Sequence, residues 1–308
     1  MRLFLTTRDD RLVIVRDGAA DTALEGLGAQ SVAARGDRVL VGTRGHGAHL
    51  SLDAGATWER VELPEDDIFS VAISPADDAL YAGSEPSRLF TSRDGGAWEE
   101  LEALQDIPTR DQWSFPPRPW THHVRWIAPD PHQAERLLIG IELGGVMYSD
   151  DGGATFSDHR AGAKLDAHSL VWHPTADGRA YHAAGDGAAW SRDGGRTWEG
   201  ADAGRDLRYC WAVAVDPADP ERWYVSAASG PRTAHSGTHA HGKLYRWDRD
   251  AWNSLPVPSD VMPYALAARD SELLAGMSDG TILRSLDAGE VWDELDVRVG
   301  SITAMAVV

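Results

Sequence analysis

One octapeptide pattern keeps returning along this chain, and nothing else in the sequence restricts its fold as much. It reads SLDAGATW at 51–58, SRDGGAW at 92–98, SDDGGATF at 149–156, SRDGGRTW at 191–198 and SLDAGEVW at 285–292. The uninterrupted spacing is 41–42 residues, and the gap of 94 between the last two copies holds a degenerate sixth, RWDRDAW at 246–252. A fixed period of about 40 residues is the mark of a repeat architecture. Each repeat has the same internal order, clearest at SVAIS, ALYAG, RLFTS and WEELE between 70 and 102: four short strands separated by turn residues. That is the composition of a propeller blade.

Six repeats leave two orphan ends. The C-terminal SITAMAVV (301–308) matches the innermost strand of the other units, while RLFLTT (2–7) and RLVIVRD (11–17) match their middle strands. Joined in one sheet they make a seventh, composite blade and remove the exposed edges of an open ring. The expected fold is all-β, a seven-bladed β-propeller forming a single domain over residues 1–308. In the repeated turn, serine and aspartate bond local backbone, glycine supplies positive φ and the terminal aromatic packs between blades. Asp53, Asp94, Asp151, Asp193 and Asp287 are therefore read as structural, and Trp58, Trp98, Trp190, Trp198 and Trp292 as inter-blade packing.

In these turns the chain resembles the Asp-box (bacterial neuraminidase repeat, BNR) β-propeller superfamily, which includes sialidases, sortilin-type receptors and a photosystem assembly factor. The resemblance spans the whole chain. It implies the fold, and since the superfamily holds enzymes and binding proteins alike it implies no single activity.

Composition narrows the partners. A formal net charge of −19 disfavours nucleic acid and anionic membrane, and no apolar run is long enough for a membrane-spanning helix. The N-terminal MRLFLTTRDD has no signal-peptide core, and the one cysteine, Cys210, leaves no disulfide framework, so the expected location is cytoplasmic and the expected state a monomer. Cys210 itself reads as a small buried hydrophobe beside Trp211. P-loop, dinucleotide, Cys-based zinc and Gly-x-Ser-x-Gly motifs are missing.

The repeated turns join the third and fourth strands of a blade, which places chemistry at the opposite, top face. Two insertions map there: LQDIPTRDQWSFPPRPW (104–120), with Trp113, Phe115 and Trp120, and SAASGPRTAHSGTHAHG (226–242), with Arg232, His235, His239 and His241. Together they have the size of a lid. In register from blade to blade, with the proline or turn after the first strand as anchor, Gln30, Phe69, His123, His168, Trp211 and Tyr264 take equivalent rim positions. Arg44, Glu85, Glu142, Asp186 and Ser278, with Arg8, take equivalent positions after the second strand.

Three readings follow. In the first, His123, His168 and Glu142 hold a divalent metal, supplemented by His122 or by His235, His239 or His241 of the lid, for hydrolysis or elimination of a small polar substrate. Glu85 and Asp186 are then the acid-base candidates, Arg44 and Arg232 bind an anionic group, and Trp113, Trp120, Trp211 and Tyr264 line the substrate site; the same histidines could instead only bond rim backbone. In the second, two of Glu85, Glu142 and Asp186 work as a metal-independent glycoside hydrolase. The sialidase form of that chemistry would recruit Arg44, Arg125, Arg208 and Arg232 with Tyr209 or Tyr264, but the arginine-isoleucine-proline motif it implies is absent. In the third, Trp113, Phe115, Trp120 and Trp211 anchor a protein partner on a non-enzymatic scaffold.

Overall fold

The computed structural model describes residues 1–236, 239–258 and 260–308. Seven antiparallel sheets surround a central axis, and each sheet runs outward from its innermost strand. Blade one comprises Ala29–Arg35, Arg38–Thr43, Ala48–Ser51 and Glu59–Val61, and blade two Ile68–Ile73, Leu80–Ser84, Leu89–Ser92 and Glu99–Glu100. Blade three has three strands, Val124–Pro129, Leu137–Ile141 and Gly145–Ser149, with a single bridge from Tyr148 to Ser157 in place of a fourth. Blade four runs from Ala167–Trp172 to Glu199–Gly200, blade five from Tyr209–Val215 to Ala251–Leu255, and blade six from Pro263–Arg269 to Asp293–Glu294.

The seventh blade is composite. Ile302–Val307 is its innermost strand, paired with Arg2–Thr7, which pairs with Arg11–Arg16 and then Ala19–Ala23. Leu3, Phe4 and Leu5 are fully buried. Arg2 and Val308 exchange backbone hydrogen bonds at the far end of this seam, and the Thr6 and Thr303 hydroxyls meet at 2.8 Å inside it.

The repeated turn explains why the blades stack. Ser51 donates to Asp53 Oδ1 at 2.8 Å and accepts the Gly55 N–H, while Asp53 accepts the N–H and hydroxyl of Thr57. The same bonds recur around Asp151 and Asp193, and in shortened form at Asp94 and Asp287. Hydrogen bonds from Thr57 hold the Asp53 carboxyl at about 2, so the turn keeps its charge over the usual pH range. Glycine is required at one position of the turn. Gly55, Gly95, Gly153, Gly195 and Gly289 all have positive φ, and a Cβ there would stand 2.3–2.8 Å from Ile14, Leu50, Leu101, Leu138 and Leu255 of the preceding blade. The turn thus carries the blade-to-blade contact, and Trp58, Trp98, Trp190, Trp198 and Trp292 pack into the same inter-blade clusters.

Near its top end every innermost strand has a β-bulge at one equivalent position. The extra residue leaves the ladder and re-aims its side chain. The seven residues are Gln30, Phe69, Arg125, His168, Trp211, Tyr264 and Thr303, and they form a ring at the mouth. Among the described residues no helix is long and apolar enough to cross a membrane.

Because Asp193 supports its turn on the face away from this ring, Asp193→Ala should remove four hydrogen bonds and cost about 1–2 kcal/mol of stability. Thermal unfolding should register the loss, while ligand binding at the mouth should stay unchanged.

Candidate active site

The bulge ring places polar groups where backbone alone would not. Arg125 of blade three lies 4.9 Å from the ring centre of Trp211, two blades away, and 5.6 Å from that of Phe69. Arg125 thus reaches across to blade five at this level. Two clefts, of about 590 and 260 Å³, open on the opposite face, beside Asp53 and Asp287 respectively.

His123 is not part of the ring. The proline that follows the first strand in blades two, four and five (Pro75, Pro174 and Pro217) corresponds to Pro131, not to Pro129, which is the last residue of the strand in blade three. That two-residue offset puts Arg125 in the bulge and leaves His123 one step outward. Its buried ring stacks on Phe69, with centroids 3.6 Å apart, and meets Phe115 edge-on at 4.9 Å. Nε2 lies 2.9 Å from Glu142, and Nδ1 lies 3.2 Å from Glu85 but out of line for a hydrogen bond. The imidazole is thus a clamp between two carboxylates, and its expected pairing with His168 on a metal is not what the fold assembles.

The cluster that does converge is Glu142, Asp166 and His168, whose ligand atoms all lie within 4.8 Å of one another. His168 is fully buried, and its Nδ1–H donates to the Cys210 carbonyl at 2.6 Å. That bond leaves a lone pair on Nε2, which has no hydrogen-bond partner and stands 3.7 Å from Asp166. Burial pushes the His168 imidazole down to about 4, so it is neutral at pH 7. Asp166 was not among the expected residues. It precedes the strand by one position and lies against the backbone of Gly185, where a Cβ would come within 1.9 Å of its Oδ2.

The carboxyls of this region separate by environment. Burial opposes the charge of Glu142, but the hydrogen bond from His123 with the nearby Arg125 and His168 outweighs it and holds the group at about 2. Glu85 is likewise held at about 2 against burial, by His123 and by Arg118, which grips it with bonds of 2.9 and 2.6 Å. Asp166 has no such support. Burial, then the charges of Glu142 and Asp186, push it up to about 7. Burial also raises Asp67, whose Oδ1 accepts from Gln30 at 2.9 Å.

The other expected residues fall into different places. Asp186 is exposed and accepts the N–H groups of Leu165 and Asp166, so it caps the loop that presents Asp166. Trp113 is 5% exposed and packed with Leu104, Ile107, Val124 and Met147; it belongs to the core, because the 104–120 insertion folds inward as two 3-10 turns. Trp120 is 79% exposed. His122 stands edge-on to Trp113 and away from the converging trio. His235 bonds the Tyr264 hydroxyl at 2.8 Å, and that hydroxyl also accepts from Arg8 and donates to Ala234. His239 and His241 are exposed on a loop of which residues 237 and 238 lie outside those described, and neither joins the trio. Trp211 and Tyr264 meet edge-on at 5.3 Å, and His168 packs 4.5 Å from Trp211, so aromatic surface adjoins the trio. Ser278 N–H donates to the Met262 carbonyl, and Arg44 and Arg232 are exposed on the rim.

No family model matches the chain. Over 201 residues it is 26% identical to the oligoxyloglucan-reducing end-specific xyloglucanase of Emericella nidulans, a stretch that is 59% of this chain and 23% of the relative. The chain thus spans under a quarter of that protein. Its fold is shared with an ancestral GH74 enzyme (TM-score 0.65, 15% identity, 92% of this chain and 37% of the other). It is shared also with the GH74 xyloglucanase of Xanthomonas campestris (0.64, 22%, 87% and 45%) and with YCF48 bound to D1 peptide (0.62, 16%, 88% and 84%).

Ionising buried Asp166 costs the folded state on the order of 4 kcal/mol relative to the unfolded chain. With the folded value above the unfolded one, the contribution is full below about pH 4 and lost as pH rises through about 7. Asp166→Asn should therefore raise the melting temperature at pH 8 by at least about 2 °C and leave it nearly unchanged at pH 4.

Proposed function

We propose that the chain is a hydrolase of carbohydrate-like substrates, with Asp166 as the proton donor and Glu142 as the ionised carboxylate at the mouth of the ring. The observation that carries this reading is the pair itself: two carboxyls in one cluster within 4.8 Å, one held at about 7 and the other at about 2. Groups whose proton affinities are pushed apart in this way suit opposite roles in acid-base catalysis. Asp166 would protonate the leaving oxygen of a glycosidic bond. Glu142, fixed by His123 and Arg125, would stabilise the positive charge that develops on the sugar or orient the incoming water. Arg118 and Glu85 act behind His123 and hold its ring in place. Trp211 and Tyr264 offer apolar faces to a sugar ring. The partial sequence likeness to a xyloglucanase supports a carbohydrate substrate.

A second reading has its own observation. The buried Nε2 lone pair of His168, aimed at Glu142 and Asp166, has the donor set of a divalent cation site. A cation there would lower the pKa of a bound water, and Glu142, Asp166 and His168 would be its protein ligands in place of the His123, His168 and Glu142 set. Elemental analysis before and after a chelator separates the two readings: one ion per chain, lost in His168→Ala, favours the cation, and a metal-free active protein favours the carboxyl pair.

For the hydrolase reading, turnover of a xyloglucan oligosaccharide panel should fall as pH rises through about 7, where Asp166 loses its proton. Asp166→Asn should lower kcat by about 10²–10⁴-fold and abolish that alkaline limb. Unchanged kcat in the variant, or no cleavage of any saccharide offered, would overturn the proposal.

A further inference from the structure

In a chain with a formal charge of −19, an arginine that lacks an anionic partner stands out. Among the described residues, 22 of the 29 lysine and arginine side chains reach a carboxylate within 4.0 Å. Arg16, Arg38 and Arg160 instead donate to backbone carbonyls. The four that remain are Arg8, Arg44, Arg208 and Arg232, and all four lie on the top face. Arg8 follows the strand Arg2–Thr7, Arg44 follows Arg38–Thr43, Arg208 precedes Tyr209–Val215, and Arg232 sits on the short helix Pro231–Ala234.

Their distribution is one-sided. They occupy the arc from blade five through blade seven to blade one, while Glu85, Glu142 and Asp166 lie on the arc of blades two to four; Arg44, at the border of the two arcs, stands within electrostatic reach of Asp67. Carboxylates on the arginine side are paired elsewhere, Asp9 with Arg11, Asp206 with Lys243 and Asp279 with Arg298. Asp10, Glu25, Asp260 and Asp296 form no ion pair with any of the four among the described residues. Arg8 is the best placed. Its Nη2 spends one of five N–H donors on the Tyr264 hydroxyl at 2.6 Å, and its guanidinium lies 5.0 Å from that ring. From there Trp211 is 5.3 Å from Tyr264, and His168 is 4.5 Å from Trp211. An aromatic floor thus connects the free arginine to the Glu142–Asp166–His168 cluster.

We infer that the mouth selects a carboxylate-bearing saccharide, its acid group on Arg8 and Arg232, its ring over Tyr264 and Trp211, and its scissile linkage toward Asp166 and Glu142. The inference rests on the hydrolase reading of those two carboxyls. Guanidinium groups bind carboxylates through paired charged hydrogen bonds, and Arg44 and Arg208 extend the attracting field around them. On the arc of blades two to four, Glu85 and Glu142 are already occupied by Arg118, Arg125 and His123. That arc therefore does not repel such a ligand as its carboxylate count suggests.

Titration calorimetry of the full chain with a galacturonate trisaccharide and with cellotriose, at low and high salt, tests the inference. The acidic sugar should bind at least about tenfold more tightly, and the advantage should shrink with salt. It should disappear in Arg8→Gln/Arg232→Gln while cellotriose binding is retained. Should the double variant fail to fold, Arg232→Gln and Arg44→Gln, both exposed, carry the same test. Equal affinity for the two sugars, or a preference untouched by the arginine variants, overturns it. Binding is read apart from turnover, so the two proposals fail differently. A chain that prefers the acidic sugar and cleaves neither upholds the selection and sinks the hydrolase; one that cleaves neutral sugar without acidic preference does the reverse.

Discussion

The pairing of Arg2–Thr7 with Ile302–Val307 holds the ring shut, and the chemistry at the mouth depends on it. Closure brings the top ends of seven innermost strands onto one axis, where each carries an extra residue that leaves its ladder. Without the seam, Arg8 and Tyr264 would not share a hydrogen bond. The glycines of the repeated turns serve the same end from the other face. By leaving space for an aliphatic side chain of the preceding blade, they set the distance at which blades pack, and so the width of the ring.

Burial at the mouth sorts its carboxyls. A carboxylate removed from water is costly unless a cation or donors replace the solvent. Glu85 and Glu142 obtain that replacement from His123, Arg118 and Arg125, and remain ionised. Asp166 obtains none and keeps its proton to near neutrality. The same burial that lets Asp166 keep its proton to near neutrality makes it a cost to stability above neutral pH.

Much of the architecture was readable in the chain. Six octapeptides, a composite seventh blade and the face on which the insertions lie all follow from local patterns, because Asp-Gly turns and alternating short strands are stabilised by neighbours in sequence. The site was readable only in part. Glu85, Glu142 and His168 stand near the mouth as expected, yet His123 is offset by two residues because two prolines, Pro129 and Pro131, both fit the end of the strand. Trp113 looked like a rim aromatic and is core, since nothing in a Pro-rich insertion says whether it folds inward. Asp166 was missed because it lies just before the strand, outside the repeated unit.

The sequence by itself determined the repeat, the number of blades, the closure by the two ends and the excess of acid. The repeat and the blade count depend on hydrogen bonds and periodicities within about 40 residues, and the closure follows from the two leftover ends each matching part of one blade. Only the tertiary structure decided that His123 is clamped between Glu85 and Glu142, that Nε2 of His168 is left bare before Asp166, and that the unpaired arginines gather on one arc. Each of those facts depends on how neighbouring blades pack, His168 being fixed by the Cys210 carbonyl of the next blade. Their distance, burial and proton affinity come into being only when the ring closes and water is displaced from its mouth.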